Sequence, residues 1–248
     1  MRCLPPLGDF LLRAPYERVI MKSQKNYSVH LKKLCAVSMF CALAFIVSFC
    51  FPIKVQFLTF DAKDSVIAIG GMFFGPVAAL AMSVIVPFLE FLSFSETGVY
   101  GLIMNILSSA AFSLTASLVY KYKRRMSGAV IGLAASVLAV TSVLLVANIF
   151  VTPFYMGVSR EDVLALIPSL LLPFNATKSI LNASLVLLLY KPFTTALRAT
   201  RLVPKSTSKR SSSPWVSVIC MLCALILLAT ALIVYLVVLK GTFAFFGK

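Results

Sequence analysis

The stretch LLPFNATKSILNASLVLLLY, residues 171–190, sets an asparagine, a lysine and a second asparagine into an otherwise apolar run. Asn175, Lys178 and Asn182 are spaced three and four apart, so on a helix they share one face. Extended back to residue 166, the run carries a single charge, Lys178, and is long enough to cross a bilayer, which takes about 20 apolar residues. Residues 34–51, 99–120, 127–151 and 215–239 are comparable and carry no charge at all, and residues 77–94 carry only Glu90. A further apolar piece, residues 65–74, is short and ends at Gly75-Pro76, where a helix should break. The chain is 60% hydrophobic and only 12% charged, which leaves too little polar surface to face water. Six segments up to Tyr190 and a seventh after a gap make an all-α polytopic membrane protein, a six-helix core plus one additional C-terminal transmembrane helix.

The net charge of +15 raises the possibility of a nucleic-acid partner, and its distribution argues against one. Arg2, Arg13, Arg18, Lys22, Lys25, Lys32 and Lys33 precede or open the first segment. KYKRR (residues 121–125) follows the fourth, and Lys191, Arg198, Arg201, Lys205, Lys209 and Arg210 follow the sixth. These are alternate loops, so the positive-inside rule places the N-terminus in the cytoplasm and the end of the seventh helix outside. Attraction to anionic lipid is the only partner this charge implies. Five of the six cysteines lie in or beside apolar segments and read as small apolar residues, and one histidine cannot build a zinc set.

Residues 1–30 form a basic lead, with Met21 an equally good start, and residues 31–195 form the six-helix unit. Residues 196–213 are a basic, Ser-rich linker, and residues 214–248 hold the extra helix and a short tail. The sequence contains no phosphate-binding loop of the G-x-x-x-x-G-K-[ST] type, no Ser/His/Asp set and no H-E-x-x-H. An enzyme is therefore not expected, and no cofactor is implied.

What remains is a set of polar residues near one end of the helices. A lysine at the centre of a spanning helix costs roughly 2.5–3.5 kcal/mol on insertion scales. Lys178 either lines a cavity or snorkels to the interface from a helix starting near Pro173, and the two asparagines on its face favour the cavity. Interhelical hydrogen bonding suffices for Asn182. Asn148, in VANIFVTPFYMG (residues 146–157), either ends its helix or joins the site, with Pro153, Tyr155 and Gly157 forming an outer loop. Before the second segment, alternating Val55, Phe57, Thr59 and Asp61 suggest an extended lid, with Asp64-Ser65 as the N-cap of a short helix. Glu90 either pairs with Lys178 or snorkels beside Ser93 and Ser95.

The order of these features resembles the S-components of energy-coupling factor (ECF) transporters, and among them the riboflavin-specific type. The resemblance runs from about Leu31 to Phe193. Its most specific parts are Asn148 followed by Pro153 and Tyr155, and Asn175-x-x-Lys178 after Pro173. It implies that Asn148, Asn175 and Lys178 bind the flavin ring and that Phe57, Leu58 and Thr59 in the first loop cover it. It also implies that a small-residue stripe on the first helix, here Ser38, Cys41 and Ala42, docks on a transmembrane coupling subunit that works with two ATPase subunits. Riboflavin is then the transported ligand, and the setting is a bacterial cytoplasmic membrane. The seventh helix departs from the pattern. The chemistry agrees with the resemblance: asparagine amides and a lysine ammonium match the carbonyls and N–H of a flavin's pyrimidine edge, and 20 phenylalanines can wall its apolar flank. Three rivals stand beside this reading. One is an S-component for another vitamin or nucleobase-like solute. Another is a ligand-free scaffold. The third is a retinal-type seven-helix protein with Lys178 as Schiff base and Glu90 as counter-ion, which needs an outside N-terminus against the charge bias.

Overall fold

The computed structural model describes residues 30–50, 53–55, 58–93, 98–199, 214–233 and 242–243. The chain is nearly all helical. In order it runs α1 (His30–Cys50), β1 (Ile53–Val55), β2 (Leu58–Phe60), α2 (Lys63–Phe74), α3 (Pro76–Ser93), α4 (Gly98–Tyr122) and α5 (Met126–Met156). Then come α6 (Arg160–Leu166), a π-helical turn at Ile167–Leu171, α7 (Leu172–Ala199), α8 (Pro214–Ile233) and β3 (Thr242–Phe243). Five runs among the described residues are long and apolar enough to span a bilayer: α1, α3, α4, α5 and Arg160–Leu197. Large apolar side chains such as Val77, Leu92, Leu138 and Phe150 point outward from these helices, as lipid-facing positions should. Between helices the contacts are small and polar: Ser83 and Ser113 share a hydrogen bond of 2.8 Å, and Ser136 Oγ donates to the Phe112 carbonyl at 2.9 Å.

α2 explains why residues 65–74 are apolar without periodicity. At 12 residues it is about 18 Å long, too short to cross a bilayer alone. It is buried on every side except at Phe73 and packs against α3, α4 and α7 at the centre of the bundle. It ends where expected. Gly75 adopts φ 98°, a conformation few other residues accept, and Pro76 opens α3. Its start differs from the sequence reading: Ala62 stands at the N-cap position with no side-chain cap, and Asp64 lies inside the first turn, bonded elsewhere.

Two other expectations need correction. The first loop is not one extended strand. β1 and β2 form an antiparallel hairpin with Ile53 opposite Phe60, and β3 adds to the free edge of β1, so a small sheet of order β2-β1-β3 joins the helices. Pro153 and Tyr155 do not make an outer loop. α5 continues through both and stops at Gly157, whose φ of 67° and N–H bond to the Pro153 carbonyl form a left-handed C-cap. The helix start near Pro173 that the snorkelling alternative for Lys178 required is absent, and the sixth segment runs through Pro168 and Pro173, as its apolar length from residue 166 suggested. Ser159 and Asp162 form a capping box at the start of α6, and the π-turn absorbs Pro168, so helical chain continues into α7. Lys178 therefore lies well inside helical chain.

Candidate functional site

α4, α5 and α7 enclose a cavity lined, among others, by Tyr100, Asn105, Asn148, Tyr155, Asn175 and Lys178. The three polar residues singled out in the sequence thus meet in one place, although α5 and α7 are separate in the chain. Asn148, Asn175 and Lys178 are all buried. Asn148 is held within its own helix, its Nδ2 donating to the Leu144 carbonyl at 2.7 Å and its Oδ1 accepting from Thr152 Oγ1 at 2.8 Å. An amide has two donors and two acceptor lone pairs, so these bonds leave Asn148 further capacity. Asn175 differs, because its Nδ2 is buried and has no hydrogen-bond partner among the described residues. A buried amide donor without a partner costs about 1–3 kcal/mol, which a ligand acceptor in the cavity would recover.

Asn182, one turn beyond Lys178, fastens α7 to α2. Its Oδ1 accepts from the Ser65 backbone N–H at 3.1 Å, and its Nδ2 donates to the carbonyls of Asp61 at 3.3 Å and Lys178 at 3.2 Å. The Ser65 hydroxyl donates to the Asn182 carbonyl at 3.0 Å. Interhelical bonding is the role the sequence suggested for this residue.

Lys178 does not snorkel. Its Nζ lies 3.6 Å from Asp61 Oδ2, and the same oxygen lies 3.4 Å from Lys63 Nζ. Lys63 is in turn paired with Glu90 on α3. A buried chain of alternating charge, Glu90–Lys63–Asp61–Lys178, therefore runs from α3 through the start of α2 to the cavity. Burial on its own would raise the Asp61 carboxyl, but the ammonium groups of Lys178 and Lys63 outweigh it and hold Asp61 below the usual carboxylate range. Asp64, beside them, accepts hydrogen bonds from Ser108 Oγ at 3.1 Å and from Ser109 Oγ, which ties α2 to α4. Glu90 thus has neither of the roles expected of it: its partner is Lys63, and its 4% exposure rules out an outward, snorkelling position.

Sequence reasoning missed Asp61 and Lys63 as buried partners. One signal was available: three charges within Asp61–Asp64 open a helix whose apolar residues leave no face for water. Of the first-loop residues, Leu58 and Thr59 lie in β2, whereas Phe57 lies outside the described residues. On α1, Ser38 and Ala42 are exposed on the outer surface, but Cys41 is buried in the core and cannot belong to an exposed docking stripe.

Comparison with known proteins places the chain in a family. Residues 32–190 match the family model described as ECF transporter, substrate-specific component. The Riboflavin transporter RibU of Staphylococcus aureus (strain TCH60) is 32% identical over 169 residues, which cover 64% of this chain and 89% of that protein. The Riboflavin transporter FmnP of Bacillus subtilis (strain 168) is 27% identical over 177 residues, 65% of this chain and 93% of that one. Among solved structures, the S component of a bacterial ECF transporter superimposes with a TM-score of 0.59 at 32% identity, over 68% of this chain and 99% of that chain. The chain is a multi-pass membrane protein and belongs to the substrate-specific components of ECF transporters, a family of substrate-binding transporter subunits and not of enzymes.

Proposed function

We propose that this protein captures riboflavin from the outer side of the membrane, in the cavity between α4, α5 and α7, as the binding subunit of an ATP-driven importer. Two relatives bear the name riboflavin transporter, and that similarity supports the choice of ligand. The observation that carries the reading is the unpartnered Nδ2 of Asn175, buried in the cavity wall one turn from Lys178. A flavin's pyrimidine edge offers carbonyl acceptors and an N–H donor. Asn175 and Lys178 donate to the acceptors, and the Asn148 carbonyl oxygen accepts from the N–H. The β1–β2 hairpin, with Leu58 and Thr59, covers the bound ring, and the family resemblance assigns Phe57 to the same cover. The N-terminus lies in the cytoplasm, so the hairpin end of the bundle faces outward.

Carrying no phosphate-binding loop, the chain depends on a coupling subunit and two ATPases to drive transport. The exposed stripe holding Ser38 and Ala42 on α1 is the docking face for the coupling subunit. The test is riboflavin's own fluorescence, titrated with the protein purified in mild detergent. The one tryptophan, Trp215, lies on α8, so protein emission is a poor reporter of the cavity. Saturable one-to-one quenching, weakened by Asn175→Ala by about 1–3 kcal/mol, is the expected result. No quenching at micromolar riboflavin would move the ligand to another vitamin or nucleobase-like solute.

A further inference from the structure

We propose that Asp61 is a positioning residue for ligand binding, which acts by placing the Lys178 ammonium and balancing its charge. The proposal rests on the flavin-site reading of Lys178 given above. Three observations converge on Asp61, which is itself buried. Its backbone is clamped, because its carbonyl accepts from Asn182 Nδ2 at 3.3 Å while Asn182 also holds Ser65 at the start of α2. Its carboxylate is placed by charge, with Oδ2 lying 3.4 Å from Lys63 and 3.6 Å from Lys178. Lys63 is anchored on its far side by Glu90, so the carboxylate cannot follow one ammonium without leaving the other.

At 3.6 Å the contact with Lys178 is an ion pair longer than the roughly 2.7–2.9 Å of a strong charge-assisted hydrogen bond. It steers the ammonium while drawing little on its three donors, which are what a carbonyl-bearing ligand needs. Asp61 also follows Phe60, the last residue of β2, so the hairpin ends on the residue that sets the cavity lysine. Without that carboxylate, Lys178 would lose the counter-charge 3.6 Å from its ammonium, and its long stem would shift away from the ligand edge.

The test is a double-substitution cycle read by riboflavin quenching in wild type, Asp61→Asn, Lys178→Met and the Asp61→Asn/Lys178→Met pair, with thermal midpoints measured alongside. Asp61→Asn is expected to weaken riboflavin binding about tenfold in the wild-type background. In the Lys178→Met background it should change affinity by less than about twofold. Asp61→Glu, which keeps the charge, should recover most of the loss. An equal loss in both backgrounds would make Asp61 a merely structural residue and overturn the proposal, as would an unchanged affinity in Asp61→Asn. If the Asp61→Asn protein does not fold, the paired variant against Lys178→Met alone decides: equal affinities support positioning, and a lower affinity in the pair overturns it. Failure of wild type to quench riboflavin would instead sink the flavin reading and this proposal with it. Wild-type quenching with an additive cycle sinks the role of Asp61 alone.

Discussion

Asn175 and Asn182 stand on one face of α7, yet their surroundings assign them opposite duties. Asn182 spends its amide on Ser65 and on the Asp61 and Lys178 carbonyls, whereas Asn175 keeps an unpaired donor at the cavity. Truncating the first should therefore cost stability, and truncating the second should cost ligand affinity. Asn182→Ala leaves the Ser65 N–H only its 3.2 Å bond to the Ala62 carbonyl and takes the amide donor from the Asp61 carbonyl, a loss of about 0.5–1.5 kcal/mol for each hydrogen bond removed. The expected readout is a lower thermal midpoint in detergent, with Asn175→Ala melting like wild type. Equal midpoints for the two variants would remove Asn182 from the α2–α7 fastening. Glu90 obeys the same logic more severely. Glu90→Ala removes one of the two carboxylates that hold the buried Lys63 ammonium and leaves it Asp61 at 3.4 Å, so the cost approaches the about 3–5 kcal/mol of breaking a buried ion pair from one side. Poor recovery of folded protein, improved when Lys63→Met is added, is the expected pattern, and no improvement in the pair would separate Glu90 from Lys63.

At the scale of elements, α2 is held by its glycines to different degrees. A Cβ on Gly70 would meet the Met82 methyl at 2.7 Å, the tip of a flexible side chain that can move aside. A Cβ on Gly71 would meet the Ala79 Cβ at 2.6 Å and the Ser117 Cβ at 3.3 Å, and neither atom can retreat without its helix. Gly71→Ala should therefore force α2 away from α3 and α4 and cost about 1–3 kcal/mol, with Gly70→Ala milder. Thermal midpoints of the two variants check this, and a milder Gly71→Ala would contradict it. The same elements show what a sequence reveals. Segment lengths and the Gly75-Pro76 break were readable because apolar run length and backbone sterics are local. The continuation of α5 through Pro153 was not, nor was the start of the sixth helical run back at Arg160. A proline's preference for ending helices yields where a bilayer would leave freed backbone groups unpaired. Asn148, Asn175 and Lys178 were readable as polar residues in apolar runs. Their charged neighbour Asp61 was not, because its partner lies on the far side of the fold and no local pattern joins Asp61 to Lys178.

At the scale of the molecule, the binding machinery and the extra helix occupy separate parts of the chain. Among the described residues, those lining the cavity fall between Tyr100 and Lys178, and the charge chain behind it draws on α2 and α3. The family match also closes at residue 190, before α8 begins. α8 packs against α7, with Ala224 and Ala231 buried, and among the described residues β3 pairs with the edge of β1 away from β2. Removing β3 leaves the β1–β2 pairing whole, because the strand order places β1 between the other two. A variant ending at residue 213 should therefore keep its affinity for riboflavin within about twofold, as expected for changes remote from a site. Its thermal midpoint should fall, since the α7 surface that α8 covers becomes exposed. Flavin quenching and a melt on the same preparation separate the two effects. An affinity loss of tenfold or more with an intact melt would place the seventh helix and its tail strand inside the binding unit, acting through the hairpin that β3 extends.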